Sequence, residues 1–317
     1  MGKTPSMAHQ VICAVDSCFK EGMDKHSLKA SGDKKPHMIF GYQHKMNIQE
    51  TGIDLGKYCK EKFGTKLLSD IKHEHIQDWL DSKAATCTKA TISQYRSRII
   101  KLEETVKNKY KNANFNWKSK DIKQPESYKH DDKIRTKAFE KKDYEKLMDH
   151  INDPKNKVHT QATKAIFISY NYGIRVGGAD NIKAGDIDMK NMKFVVTEKG
   201  GRKRTLDIKP QHKKDFEKLI EGKKEKDYVI DIKKDSIIKG VRRLIVAAGL
   251  GEKYPGHSGG IHSMRKAFAT RLFHELIENC KSERDALDIV SKILGHGKRR
   301  DKMLIDSYIY KEAKKKS

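Results

Sequence analysis

An interruption limits first what this chain can fold into. From Lys111 to Lys137 the sequence KNANFNWKSKDIKQPESYKHDDKIRTK is polar and aperiodic and contains Pro125. Such a stretch reads as a connection rather than an element. On either side of it, apolar residues return at helical spacing. The layout predicted is a helical N-terminal domain over residues 1–112, opening with an arm over 1–36, then a linker over 113–136 and a second domain over 137–317. A length of 317 residues suits two domains of ordinary size.

The firmest element of the first domain lies in ATISQYRSRIIKLEETVKNKY. There Ile92, Tyr95, Ile99, Leu102 and Val106 step by three, four, three and four, the pattern of an amphipathic helix. Its other face carries Arg96, Arg98, Lys101 and Lys107. A short helix is predicted around Val11 to Phe19, and SGDKKPH stops helix formation at Gly32 and Pro36. Two more helices are predicted in MIFGYQHKMNIQETGIDLGKYCKEKFG and LLSDIKHEHIQDWLDSK. In the second, Ser69 or Asp70 can cap, and Ile71, Ile76, Trp79 and Leu80 form the apolar side.

The second domain begins near Ala138 with FEKKDYEKLMDHI, whose Leu147 and Ile151 face inward. TQATKAIFISYNYG follows as a more apolar helix ending at Gly173, a favourable residue for a helix end. DIDMKNMKFVVTEKGGRKRTLDIKP then places β-branched runs on both sides of a Lys-Gly-Gly turn, the signature of a hairpin. Helices return in DSIIKGVRRLIVAAGLG, in HSMRKAFATRLFHELIENC, and in SERDALDIVSKIL with its Ser282-x-x-Asp285 start and Gly295 end. The fold class is therefore mainly α with a small β-sheet or hairpin (α+β).

Charge narrows the partner. Lys and Arg number 68 against 43 Asp and Glu, a formal net charge of +25, which favours a polyanion and makes binding salt-dependent. Charge alone does not separate DNA from RNA or an anionic membrane surface. No apolar run approaches the roughly 18 residues that span a bilayer. The first 20 residues hold only the short, acid-interrupted VICAVDSCF, so no secretory signal is read there and a cytoplasmic, bacterial setting is expected. Five scattered cysteines fit reduced thiols. His9, Cys13, Cys18 and His26 match no common zinc spacing, and neither a metal nor a cofactor is expected.

Chemistry concentrates in five motifs in fixed order: GIRVGGADNIKAGDI with Arg175, TEKGGRKRTLDI with Lys199, GIHSMRKAF with His262 and Arg265, ILGH with His296, and DSYIY with Tyr308. They supply two guanidiniums, an ammonium, two imidazoles and a phenol. That set suits attack of a tyrosine oxygen on a phosphodiester without a metal. Arginine forks match non-bridging phosphate oxygens, and preorganised cations offset the charge that builds on phosphorus. Lysine and histidine move protons, and tyrosine can form a covalent intermediate. His262 and Arg265, three apart at a helix start, share a face.

Across Arg175 to Tyr308 the chain resembles the tyrosine recombinases, the phage-type integrases. GIR with NIKAGDID is similar to the family's Gly-Leu-Arg turn, KGGRKR to its lysine-bearing hairpin, HSMRKAFAT to its His-x-x-Arg helix, and LGH to the segment before its tyrosine. The resemblance implies a helical core-binding (SAM-like) DNA-binding domain followed by a catalytic domain. Arg175 and Arg265 would clamp the phosphate, Lys199 would protonate the leaving 5′ oxygen, and His262 would accept a proton or orient the site. His296 would bond a non-bridging oxygen and Tyr308 would be the nucleophile. Lys203, Arg202 and Arg204 are rivals for the acid, and Tyr310 is the alternative nucleophile, because the His296-to-Tyr308 interval is longer than usual. A second departure is Gly178 where the family often has an acid, with Asp180 nearby. This predicts a local change in how Arg175 is braced.

The implied partners are double-stranded DNA and three further copies of the chain, a homotetramer on two paired sites, with accessory directionality or DNA-bending proteins compatible with such an assembly. Integration or excision of a mobile element is the implied task. A type IB topoisomerase-like relaxation uses the same chemistry, and a non-catalytic DNA-binding protein could occupy the same fold. Both stay open at the level of sequence.

Overall fold

The computed structural model describes residues 5–23, 25–128, 137–156, 161–197, 203–256, 260–296 and 301–309. The chain divides into two compact units, Met1–Lys133 and Ile134–Ser317. Among the described residues no helix is long and apolar enough to cross a membrane.

In the first unit α1 (Met7–Ser17), α3 (Tyr42–Phe63), α4 (His73–Ala84) and α5 (Lys89–Lys109) pack around one core, and the short α2 (Lys25–Ala30) lies between α1 and α3 in sequence. The expected arm over 1–36 is corrected here. Val11, Ala14, Val15 and Cys18 are fully buried, and α1 packs on both α3 and α5. Ser6 caps α1 by accepting from the His9 amide, so the helix begins one turn before the predicted Val11. Asp16, which interrupts the apolar run, sits outside the core and binds Lys45 and Gln49.

The expected linker over 113–136 needs the same correction in its described part. Phe115, Trp117 and Ile122 are buried in the core of this unit, and the Trp117 indole donates to the Leu68 carbonyl. The segment lacks periodicity because it is neither helix nor strand. It is an irregular strap held by non-local hydrogen bonds. Arg96 donates to the Ile122 and Lys120 carbonyls, and Ser119 donates to Glu103 through both its amide and its hydroxyl. The cationic face of α5 is thereby committed internally. Lys101 meets Glu104 and the Pro36 carbonyl, Lys107 meets Glu103, and Arg98 meets Thr51 and Gln94.

The second unit runs α6 (Lys141–Asn152), α7 (Gln161–Tyr172), α8 (Val176–Ala179), β1 (Ile187–Asp188), β2 (Lys193–Thr197) and β3 (Lys203–Asp207). It continues with α9 (Lys213–Ile220), α10 (Lys234–Ala247), α11 (Ile261–Glu278), α12 (Glu283–Ile293) and α13 (Asp301–Ser307). The strands form an antiparallel sheet in the order β1-β2-β3, with Val196 opposite Arg204 and Thr197 opposite Lys203. Helix α7 lies at the centre against α10 and α11, α11 packs on α12, and α12 packs on α13. Ser282 opens α12 as the sequence predicts, accepting from the Asp285 amide and donating to its carboxylate. Phe268, Phe273, Leu287, Val290, Leu294 and Tyr308 belong to a separate apolar cluster between α11, α12 and the segment after α13. This places the tyrosine of the last motif in a packed setting.

Candidate active site

Two helix ends make the site. Helix α7 closes at Gly173 in the left-handed region, at φ 64°, and a Cβ there would come within 2.4 Å of Phe268 Cδ1. Glycine meets both demands at once. The tight exit turns the chain so that Arg175 caps α8 directly after α7. Helix α12 closes at Leu294, followed by Gly295 at φ 70° and then His296.

Arg265, on the first turns of α11, is fully buried between these two ends. Its guanidinium donates to the Gly173 carbonyl at the end of α7 and, at 2.6 Å, to the Leu294 carbonyl at the end of α12. Helix C-termini carry unsatisfied carbonyls and partial negative charge, so a buried cation is stabilised there. Arg175 reaches the same Leu294 carbonyl at 3.5 Å. Both arginines also approach His296 Nε2, Arg175 at 3.2 Å and Arg265 at 3.4 Å. A guanidinium only donates, so this nitrogen accepts in this arrangement. Arg175 is thus braced by a main-chain carbonyl and an imidazole. Asp180 instead ends α8, where burial raises its carboxyl above the ordinary range against the pull of Lys234.

Tyr308 is buried in the midst of these groups. Its ring lies 5.3 Å from His262, 5.2 Å from His296 and 5.4 Å from the Arg265 guanidinium. Its amide donates to Leu304, and its carbonyl accepts from the Thr270 hydroxyl at 3.2 Å. Although part of the His262 ring is exposed, crowding by the surrounding protein first, then Lys266, Arg265 and Arg175, push its imidazole down to about 4, which favours the neutral form.

Five of the six residues predicted from sequence thus converge: Arg175, His262, Arg265, His296 and Tyr308. Lys199, with Arg202 and the alternative nucleophile Tyr310, lies outside the described residues. Of the rivals for the acid, Lys203 is exposed at the start of β3 and Arg204 donates to the Ile293 carbonyl. Beside Arg175 opens a cleft of about 750 Å³ whose lining includes Lys183, Thr197, Lys203, Tyr228 and Lys234, a cationic wall suited to an anionic ligand.

Sequence reasoning missed Thr270. Its signal was available, since His262, Lys266 and Thr270 are spaced by four and share one face of α11.

The sequence model described as the phage integrase family matches residues 137–310, more than half of the chain. The chain belongs to the phage integrase family. As a member of that family it is an enzyme of the tyrosine recombinase type. Solved structures give the same fold. The XerH site-specific recombinase bound to palindromic difH substrate, a post-cleavage complex, is 16% identical with a TM-score of 0.63, over 96% of this chain and 91% of that one. The Tn1549 transposon integrase in complex with transposon right-end DNA is 14% identical with a TM-score of 0.58, over 95% of each chain. A lambda integrase tetramer bound to a Holliday junction gives 16% identity and a TM-score of 0.60, over 91% of this chain and 78% of that one. No curated protein matches the chain in sequence.

Proposed function

We propose that this phage integrase family member is a site-specific recombinase that cleaves and rejoins double-stranded DNA through a 3′-phosphotyrosyl intermediate. Tyr308 Oη attacks the scissile phosphorus, the P–O5′ bond breaks, and the DNA is left as a 3′-phosphotyrosine and a free 5′ hydroxyl. Arg175 and Arg265 hold the non-bridging oxygens with His296. Neutral His262 accepts or orients the phenolic proton, and Lys199 protonates the departing oxygen. Attack by a 5′ hydroxyl reverses the step, so the phosphodiester energy is conserved without ATP or metal.

The observation that carries this reading is the bracketing of the Tyr308 ring by His262, His296 and Arg265 of its own chain. Sites built from donors already fixed by protein carbonyls need little rearrangement as charge develops on phosphorus. The unit Met1–Lys133 takes the part of the core-binding domain on DNA, and Ile134–Ser317 that of the catalytic domain. Four copies act on two paired sites, in keeping with the lambda integrase tetramer on a Holliday junction that it resembles. Excision or integration of a mobile element fits its likeness to a transposon integrase. Relaxation in the manner of a type IB topoisomerase would use the same residues, and the family match favours the recombinase.

The test uses full-length protein, EDTA and nicked suicide duplexes bearing the element's end sequence. Wild type should give a covalent adduct and strand-exchanged products from two sites. Tyr308→Phe should bind DNA and form no adduct, while Tyr310→Phe should form it. An adduct peptide mapped to Tyr310 would move the nucleophile. Relaxation of any supercoiled plasmid without exchanged products would establish the topoisomerase instead.

A further inference from the structure

The first turns of α11 hold a buried charge that the proposed reaction leaves without a part. Lys266 follows Arg265 directly and is 5% exposed. Lysine is seldom covered to this degree, because its ammonium gives up water there. His262, Lys266 and Thr270 are spaced by four and form one stripe along the helix. The residues on either side of Lys266 in that stripe both meet Tyr308. His262 packs ring against ring at 5.3 Å, and the Thr270 hydroxyl donates to the Tyr308 carbonyl at 3.2 Å. Lys266 stands between them, one turn from each.

Helix geometry sets where its long side chain runs. Cα–Cβ bonds tilt toward the helix N-terminus, and long side chains lie back over the preceding turn. For Lys266 that turn carries His262, with Cβ atoms about 5–6 Å apart at this spacing. The lysine is covered where the imidazole is exposed. Other groups face the same imidazole: Arg265 from α11, Arg175 from the N-terminus of α8, and Tyr308 from beyond α13. Lys239, Arg242 and Arg243 of α10 line a cavity of about 760 Å³ with it, and His296 packs on the Tyr308 ring. Among the described residues that line this cavity there is no carboxylate. Of the cations that disfavour the protonated ring, Lys266 acts most strongly, ahead of Arg265 and Arg175.

We infer that Lys266 is a positioning residue that acts through His262: its ammonium, laid under the preceding turn of α11, keeps that imidazole unprotonated and ready to take the Tyr308 proton. The inference rests on the proposed acceptor role of His262. In the step it serves, the proton passes from Tyr308 Oη to a ring nitrogen as Oη bonds to phosphorus. An imidazolium has two donors and no acceptor, so it could not receive that proton. The negative charge of an entering phosphodiester works against the cations and raises the proton affinity of the ring. His262 thus becomes a better base once DNA is in place.

The experiment uses full-length protein and follows two quantities against pH. One is the His262 imidazole resonance of the DNA-free protein, identified by its loss in His262→Gln. The other is single-turnover adduct formation on a nicked suicide duplex. Lys266→Met keeps the length of the side chain and removes the charge. It should raise the His262 midpoint by about one pH unit or more, the order of one nearby charge, and move the acid limb of adduct formation up with it. Lys266→Arg, which keeps the charge, should hold both near their wild-type positions. A lysine that only packs would leave the midpoint in place in Lys266→Met, and that result would overturn the inference. So would an equal rise in Lys266→Arg. If the midpoint rises in Lys266→Met and the acid limb stays, His262 is not the acceptor, and the inference falls with that role. If wild type forms no adduct, the recombinase reading itself falls, and the inference with it. Should Lys266→Met fold poorly, Lys266→Gln is read in the same way.

Discussion

Glu103 in the N-terminal unit and Arg265 in the C-terminal unit are both buried charges, yet their surroundings differ in kind. Burial pushes the Glu103 carboxyl up, but Lys107 and the amide and hydroxyl of Ser119 outweigh it and hold the group below the ordinary range. That carboxylate is met by a full opposite charge, and its field ends locally. Arg265 is held by the Gly173 and Leu294 carbonyls, which are neutral dipoles at the ends of α7 and α12. Dipoles make the buried guanidinium tolerable without cancelling its charge. The guanidinium lies 5.4 Å from the Tyr308 ring. A full opposite charge meets the Glu103 carboxylate, whereas main-chain carbonyls meet the Arg265 guanidinium.

The comparison is most easily broken at Arg265. Arg265→Gln should slow single-turnover cleavage by about 10²–10³-fold, the scale of losing one preorganised donor to developing charge. Undiminished cleavage would mean that the buried guanidinium is structural after all. Glu103→Gln should do the opposite. Stability should fall by about 1–3 kcal/mol through the orphaned partners, while cleavage by the folded protein is unchanged. Because the folded carboxyl lies below its ordinary value, its contribution is present above the unfolded pKa and is lost as pH falls through the folded one. Urea unfolding of wild type and Glu103→Gln from pH 7 to pH 3 should therefore converge at the acid end, and parallel curves would count against this account.

His262 sharpens the contrast from the catalytic side. With its pKa lowered to about 4 from 6.5, the unfolded chain binds a proton that the native one refuses. Its stabilising effect is complete above pH 6.5 and is lost progressively as pH falls toward about 4. Imidazole resonances of His262 should hold steady between pH 7 and 5.5, and a titration centred near 6.5 would show that exposure of its ring outweighs the neighbouring cations. The smallest effect belongs to Thr270→Val. Loss of the hydroxyl on the Tyr308 carbonyl should slow adduct formation by a few-fold, about 0.5–1.5 kcal/mol, with Thr270→Ser restoring it. Equal slowing in both variants would point to packing rather than the hydrogen bond.

Much of this molecule was legible before any coordinate. The three-four spacing of Ile92 to Val106, the Ser282-x-x-Asp285 start of α12, the glycine ends at Gly173 and Gly295, and the β-branched flanks of KGG all lie where the chain forms those elements. These signals are local, because capping, periodicity and turn chemistry involve residues within a few positions of each other. Four of the five motifs likewise hold residues that the structure brings together around Tyr308, and the fifth, with Lys199, lies outside the described residues. The arm and the linker misled for the same reason. Met7, one turn ahead of Val11, and the aperiodic Phe115 and Trp117 are buried by distant partners that no window along the chain contains.

By itself, then, the sequence determined which side chains are candidates for the chemistry and which helices and strands form around them, since both are written in residue type and short spacing. Tertiary structure alone decided that the ends of α7 and α12 meet around Arg265, that Arg204 bonds to Ile293, and that Arg96, Arg98, Lys101 and Lys107 of α5 find partners within their own unit. The physical reason is that these decisions are made largely by main-chain carbonyls. Every residue carries one, so nothing in the order of side chains marks Gly173, Ile293 or Leu294 as an acceptor until the fold brings a guanidinium to it.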